Sequence, residues 1–219
     1  MQPRTILVAN SKGGSGKTTI STNIASYYAA NGTPTVLVDL DRQRSSMRWL
    51  ERRPEINPTI EKMSGWDNRR YPVGTELVVM DAPAQIQRQD LVKLVSRADA
   101  IIVPVLPSPI DIDAAAEFIG VLLVHAKIRI AGTPVGVVAN RVKANTLIYA
   151  RLMRFLKTLQ IPFVTALRDT QNYIYAAEHG LGIFEMRPSV VKKDVEQWQA
   201  LIAWIETGTE RFGKIRAQA

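Results

Sequence analysis

One stretch near the start of the chain limits its possible folds most: Asn10-Ser11-Lys12-Gly13-Gly14-Ser15-Gly16-Lys17-Thr18-Thr19. It follows an apolar, β-branched run from Thr5 to Ala9 and precedes a helical pattern from Lys17 to about Asn31. Strand, glycine loop and helix in that order form the first βα turn of a parallel sheet. Glycines let the backbone turn tightly and aim successive N–H groups at one anion. The helix that follows adds the partial positive charge of its N-terminus. Gly13, Gly14, Ser15 and Gly16 would wrap phosphates, with Thr19 beside them. Lys17 would reach the β- and γ-phosphates of a nucleotide, and the Thr18 hydroxyl would hold Mg²⁺.

The pattern departs from the standard loop in one respect. The place five before Gly16, where that loop has its first glycine, holds Ser11. A second lysine, Lys12, opens the run K-G-G-S-G-K-T. This resembles the deviant Walker A loop of the ParA/MinD family of ATPases. The resemblance implies that Lys12 crosses a dimer interface and contacts the phosphates bound by the partner.

The chain has 219 residues, enough for one α/β domain with a full core and too few for two ordinary ones. We expect the ATPase domain to span residues 1–206 and residues 207–219 to form a polar, basic, frayed tail. With no cysteine there is neither a disulfide nor a cysteine-ligated cluster, which excludes the nitrogenase iron protein, a relative with this loop. Two histidines make a histidine-built metal site a poor expectation. The net charge of +8 points to a polyanionic partner, nucleic acid or an anionic membrane surface. Met1 to Thr5 leads directly into the first strand, so we expect neither a secretory leader nor a helix-turn-helix domain ahead of the loop. No apolar run reaches the ~20 residues of a bilayer span. The expected location is the cytoplasm, on the nucleoid.

Strand and helix patterns alternate along the whole chain. Strands are expected at residues 4–9, 35–39, 59–61, 76–81, 100–105, 134–140 and 161–166. Helices are expected at 17–31, 43–53, 90–98, 110–127, 146–159, 170–179 and 189–206. This alternation predicts a P-loop α/β fold: a single, mostly parallel twisted sheet with helices on both faces. Carboxylates at the C-terminal ends of such strands border the ligand crevice. Asp39 and Asp41 end the second strand in Asp39-Leu40-Asp41-Arg42-Gln43, and Asp81 ends the run Glu76 to Asp81. The first resembles the family's D-x-D-P-Q stretch, with Arg42 in place of proline; the second resembles its Walker B stretch. The resemblance implies that Asp41 positions the hydrolytic water and that Asp39 and Asp81 lie on the metal side with Thr18. Asn140 matches the family's adenine-recognising position, although an asparagine at a strand end also forms turns. The segment from Leu167-Arg168-Asp169 to Ile183 resembles the part of small ParA proteins that closes over the base, which assigns Arg168 to the nucleotide. Trp66, Arg69, Arg70 and Tyr71 make a basic, aromatic loop that fits either a nucleic-acid contact or a plain surface loop with no partner.

The resemblance covers Arg4 to Ile205 and implies an ATP- and Mg²⁺-dependent switch. Two copies would enclose ATP, with Lys12 acting on the developing charge as an arginine finger does. The dimer would bind nonspecific DNA and carry or position a cargo, such as a plasmid, a chromosome or a large protein assembly. An adaptor protein would stimulate hydrolysis. Candidate DNA contacts are Arg151, Arg154, Lys157, Arg187, Lys192, Lys193, Lys214 and Arg216, with Arg168 a further basic neighbour. Two alternatives remain: a MinD-like membrane-associated ATPase and an ATP-dependent ligase of the dethiobiotin-synthetase type. The tail offers a membrane only Phe212 and Ile215, and no dedicated ligase pocket is legible.

Overall fold

Seven strands pair side by side, every described pair parallel, in the order β3-β2-β4-β1-β5-β6-β7. The strands are β1 Arg4–Val8, β2 Thr35–Asp39, β3 Glu61–Ser64, β4 Leu77–Asp81, β5 Ala100–Val105, β6 Val135–Val142 and β7 Phe163–Arg168. The helices are α1 Lys17–Ala30, α2 Ser45–Glu51, α3 Arg88–Arg97, α4 Pro109–Val124, α5 Leu147–Thr158, α6 Gln171–Glu178 and α7 Pro188–Arg216, with a short 3₁₀ turn at Ile183–Glu185. The computed structural model describes residues 2–65, 70–124, 132–159 and 161–216, with side chains as far as residue 208.

Successive strand residues alternate between two cores because side chains on a strand point to opposite faces. Leu7, Val36, Val38, Val103 and Val137 join the α3–α4–α5 face; Ile6, Val8, Leu37, Val79 and Val138 join the α1–α2–α7 face. The central strands are buried on both sides, which is why they read as unbroken apolar runs. Helix α1 is buried almost all round despite its many small polar residues. Those groups bond back into the helix: Ser21 Oγ to Lys17 O, Thr22 Oγ1 to Thr18 O and Asn23 Nδ2 to Thr19 O. The helix therefore pays no unsatisfied-polar cost for lying directly behind the glycine loop.

Three boundaries differ from expectation. The short strand expected at 59–61 is β3, Glu61–Ser64, paired with β2 from Val36↔Glu61 to Asp39↔Ser64. It lacks apolar alternation because it is an edge strand with only Met63 against the core. The strand expected at 161–166 is displaced to Phe163–Arg168. The final helix does not stop at 206: its backbone runs on to Arg216. Thr207 Oγ1 bonds back to Ala203 O, and a helical glycine such as Gly208 costs only about 1 kcal/mol against alanine. The end of the helix expected at 110–127 falls partly on residues outside the described ones, as do Trp66 and Arg69. Tyr71 is not a free aromatic, since it packs on the core and accepts a hydrogen bond from Arg97.

Candidate functional site

The C-terminal ends of β1, β2, β4 and β6 bring the glycine loop, Lys17, Thr18, Asp41, Asp81 and Asn140 together. The loop leaving β1 is held at its root by Asn10, which donates Nδ2 to Pro104 O (2.7 Å) and accepts from the Lys12 N–H. Gly14 and Gly16 take φ values of 76° and 93°. At Gly16 a Cβ would meet Asn140 Nδ2 at 1.9 Å, so both backbone and space demand glycine. Lys17 is buried and donates Nζ to Lys12 O (3.1 Å) across the loop. Burial lowers its pKa, opposed by the charges of Asp81 and Asp41. The Ser15 hydroxyl is fully buried without a partner, a rare condition for a polar atom. Lys12 itself is exposed, and its ammonium has no ion pair among the described residues.

Asp81 and Asp39 are register neighbours on adjacent strands. Asp81 accepts three hydroxyls: Thr18 Oγ1 at 2.8 Å, Ser21 Oγ at 3.2 Å and Ser46 Oγ at 2.5 Å. Burial pushes its carboxyl up to about 6, against the pull of the Ser46 and Thr18 hydrogen bonds. Asp39 makes no hydrogen bond to Thr18 among the described residues. Its Oδ1 accepts from Asp41 N–H (3.0 Å) and its Oδ2 from Met47 N–H (3.1 Å), so it shapes the following loop and the start of α2. Burial also raises its pKa, offset by those backbone donors. Asp41 lines the open cavity of about 270 Å³ formed with Gly14, Gly16, Lys17 and Thr18.

An adjoining cavity of about 360 Å³ is bordered by Thr19, Asn140, Asp169, Tyr173 and Ile174. Asn140 thus faces the predicted base side, with its amide engaged: Nδ2 donates to Ser15 O (2.9 Å) and Oδ1 accepts from Arg141 N–H (2.9 Å). Arg168 is not part of this wall. Its guanidinium bonds Asp194 through Nε (2.5 Å) and Nη2 (3.0 Å), and that pair raises its pKa. Among the DNA candidates, Arg151, Arg154 and Lys157 are exposed on α5, while Arg187, Lys192 and Lys193 are exposed at the start of α7 on the opposite face of the sheet. The side chains of Lys214 and Arg216 lie outside the described ones. Ser21 and Ser46 were missed by sequence reasoning. Ser21 had a signal, standing one helical turn after Lys17; Ser46 had none, because only the fold of α2 brings it to Asp81.

The donors present fit a nucleotide phosphate and a magnesium ion. The loop offers N–H groups, a buried lysine and an orphaned hydroxyl. No cluster of three His, Cys, Asp or Glu occurs among the described residues, so a cation here would lean on Thr18, Asp81, water and phosphate oxygens, the habit of Mg²⁺.

The fold and this site define a P-loop nucleotide-binding domain. Residues 6–183 match the model of the CobQ/CobB/MinD/ParA nucleotide binding domain. The chain is 33% identical over 196 residues to maintenance of carboxysome distribution protein A of Gloeobacter kilaueensis, covering 84% of this chain and 86% of that protein. In three dimensions it resembles the apo McdA structure from Cyanothece, with TM-score 0.72, 15% identity and coverage of 91% and 100% of the two chains. It also resembles the MinD cell division protein of Aquifex aeolicus, with TM-score 0.69, 18% identity and coverage of 96% and 97%. The chain belongs to the ParA/MinD family of P-loop ATPases.

Proposed function

We propose that this ATPase is a positioning switch: two copies pair around ATP and Mg²⁺, bind nonspecific DNA, and are released when an adaptor stimulates hydrolysis. The observation that carries the reading is Lys12. It is an exposed, unpaired cation at the front of a loop whose other lysine is buried within it. A single copy gives that charge nothing to act on, whereas a facing copy would supply a γ-phosphate. Lys17 and the loop N–H groups hold the phosphates, Asp41 orients water in line, and Lys12 of the second copy stabilises the charge that develops. Thr18 and, through water, Asp81 hold Mg²⁺, which neutralises phosphate charge. Asp39 sets the path of the loop that carries Asp41.

The basic residues of α5 and those of α7 form two separate candidate DNA patches in this reading, and pairing doubles whichever one meets DNA, which strengthens a weak electrostatic interaction steeply. Such a protein works in the cytoplasm on the nucleoid. The similarity to carboxysome-distribution proteins favours a large protein assembly as cargo over a plasmid or chromosome. Among the described residues no helix is long and apolar enough to cross a membrane.

The test is Lys12→Ala. Sedimentation with ATP should show the parent as a dimer and the variant as a monomer. Turnover should fall by about 10³-fold, the range of a trans-acting cation in phosphoryl transfer. Unchanged turnover and self-association would refute the reading.

A further inference from the structure

Arg141 has no place in the assignments above, but its setting is unusual. The β6–β7 ladder loses register between Ala139 and Val142, so Asn140 and Arg141 bulge from the end of the strand. Arg141 takes φ 50°, a left-handed conformation that a residue with a Cβ disfavours. Bulges at strand ends re-aim side chains and recur beside active sites. Here the bulge does two things. It turns Asn140 onto Ser15 of the glycine loop, and it leaves the Arg141 guanidinium exposed, without a hydrogen bond or ion pair among the described residues. Arg4, Arg53 and Arg168, by contrast, are all paired with carboxylates. Arg141 also borders both cavities, the one around Gly16, Lys17 and Thr18 and the one beside Asn140 and Tyr173; Thr19 is the other residue shared by both.

We infer that Arg141 is a nucleotide-binding residue whose guanidinium takes the α-phosphate and sugar section of a nucleoside di- or triphosphate. This rests on the nucleotide reading of the site. The β- and γ-phosphates belong at Lys17 and Thr18, and the base belongs in the adjoining cavity. What passes through the junction is the sugar and the α-phosphate, and the α-phosphate is the anion a planar, forked cation fits best. The strained backbone is then the cost of aiming that cation across the junction.

The experiment is calorimetric titration of the full chain with Mg²⁺ and ADP, chosen because a diphosphate reports binding without triphosphate-driven pairing. Arg141→Ala should weaken ADP roughly 10- to 100-fold, as loss of a charge-assisted hydrogen bond does. Arg141→Lys should recover part of the loss. Arg141→Gly should weaken ADP as alanine does and yet melt no lower than the parent without nucleotide, because glycine accepts the left-handed φ. A purely structural role would not move those two readouts in opposite senses. ADP affinity within twofold of the parent in both the alanine and glycine variants would overturn the inference alone. So would intact ADP affinity with lost ATP-dependent self-association, which would place Arg141 on a protein–protein face. A parent that binds no ADP would overturn the nucleotide reading itself.

Discussion

Breaking the Arg53–Glu185 ion pair should cost more stability than removing it altogether. The two side chains are 6% and 4% exposed. Arg53 Nη1 and Nη2 bond Glu185 Oε2 and Oε1 at 2.9 and 2.5 Å, and Glu185 Oε2 also accepts from Gly182 N–H at 2.7 Å. Arg53→Met leaves a buried carboxylate with one backbone donor, which costs about 3–5 kcal/mol. Glu185→Leu leaves a buried guanidinium holding only the carbonyls of Gly180 and Pro58, with a cost of about the same size. The double variant removes both charges and orphans chiefly the Gly182 N–H, for about 1–3 kcal/mol. At roughly 2–4 °C per kcal/mol in a domain of this size, each single variant should melt about 6–20 °C below the parent, with the double variant between. Urea and thermal unfolding followed by circular dichroism, without nucleotide, measure all four corners of the cycle. Singles that lose under about 1 kcal/mol, or a double that loses the sum of the two, would refute the argument that the charges are buried and mutually dependent.

Two further outcomes follow from the site. Burial raises the Asp81 carboxyl from its ordinary value near 3.8 to about 6. Its stabilising contribution is therefore complete below pH 3.8 and is lost as pH rises through about 6, by roughly 3 kcal/mol. Asp81→Asn should remove that fall, so that the nucleotide-free variant gains on the parent in melting temperature between pH 5 and pH 8; a variant that loses ground over that interval contradicts the assignment. Arg168→Ala should lower stability by about 2 kcal/mol, because Asp194 is fully buried and keeps only the Asn172 amide as side-chain donor, at 2.7 Å. Its ADP affinity by calorimetry should stay within twofold of the parent, and a tenfold loss would restore Arg168 to the nucleotide.

The parallel sheet and the glycine loop were legible because both rest on strong local signals, apolar β-branched runs and a fixed spacing of glycines and lysines. Asp39, Asp41 and Asp81 were legible as strand-end acids, but the hydrogen bonds each makes were not. Asp39 turns out to hold backbone N–H groups, a role that depends on where α2 starts. Strand β3 was misplaced because an edge strand needs hydrogen bonds from β2 more than a pattern of its own. Arg168 was read from its place after the last strand, whereas its direction depends on Asp194, 26 residues further along the chain. Arg141 was passed over for a related reason: a bulge is a mismatch between two strands and leaves no mark on either one.

The loop from Leu40 to Arg44 shows how the site dispenses with the proline of the related pattern. Proline fixes a turn by restricting φ. Here the turn is closed by Asp41 itself, whose Oδ1 accepts from Gln43 N–H (2.9 Å) and whose carbonyl accepts from Arg44 N–H (3.0 Å). Both ends of this short loop are anchored. On the strand side Asp39 holds Asp41 N–H; on the helix side Asp39 holds Met47 N–H and Ser46 is tied to Asp81. The far side of α2 is fixed in turn by Trp49 Nε1 on Leu181 O and by the Arg53–Glu185 pair. With strand and helix both held, the Asp41 carboxylate is the one member of this frame bound only to its own turn. In the function proposed above, Asp41 would exchange the Gln43 N–H for the attacking water, a change confined to its own turn that asks no movement of β2 or α2.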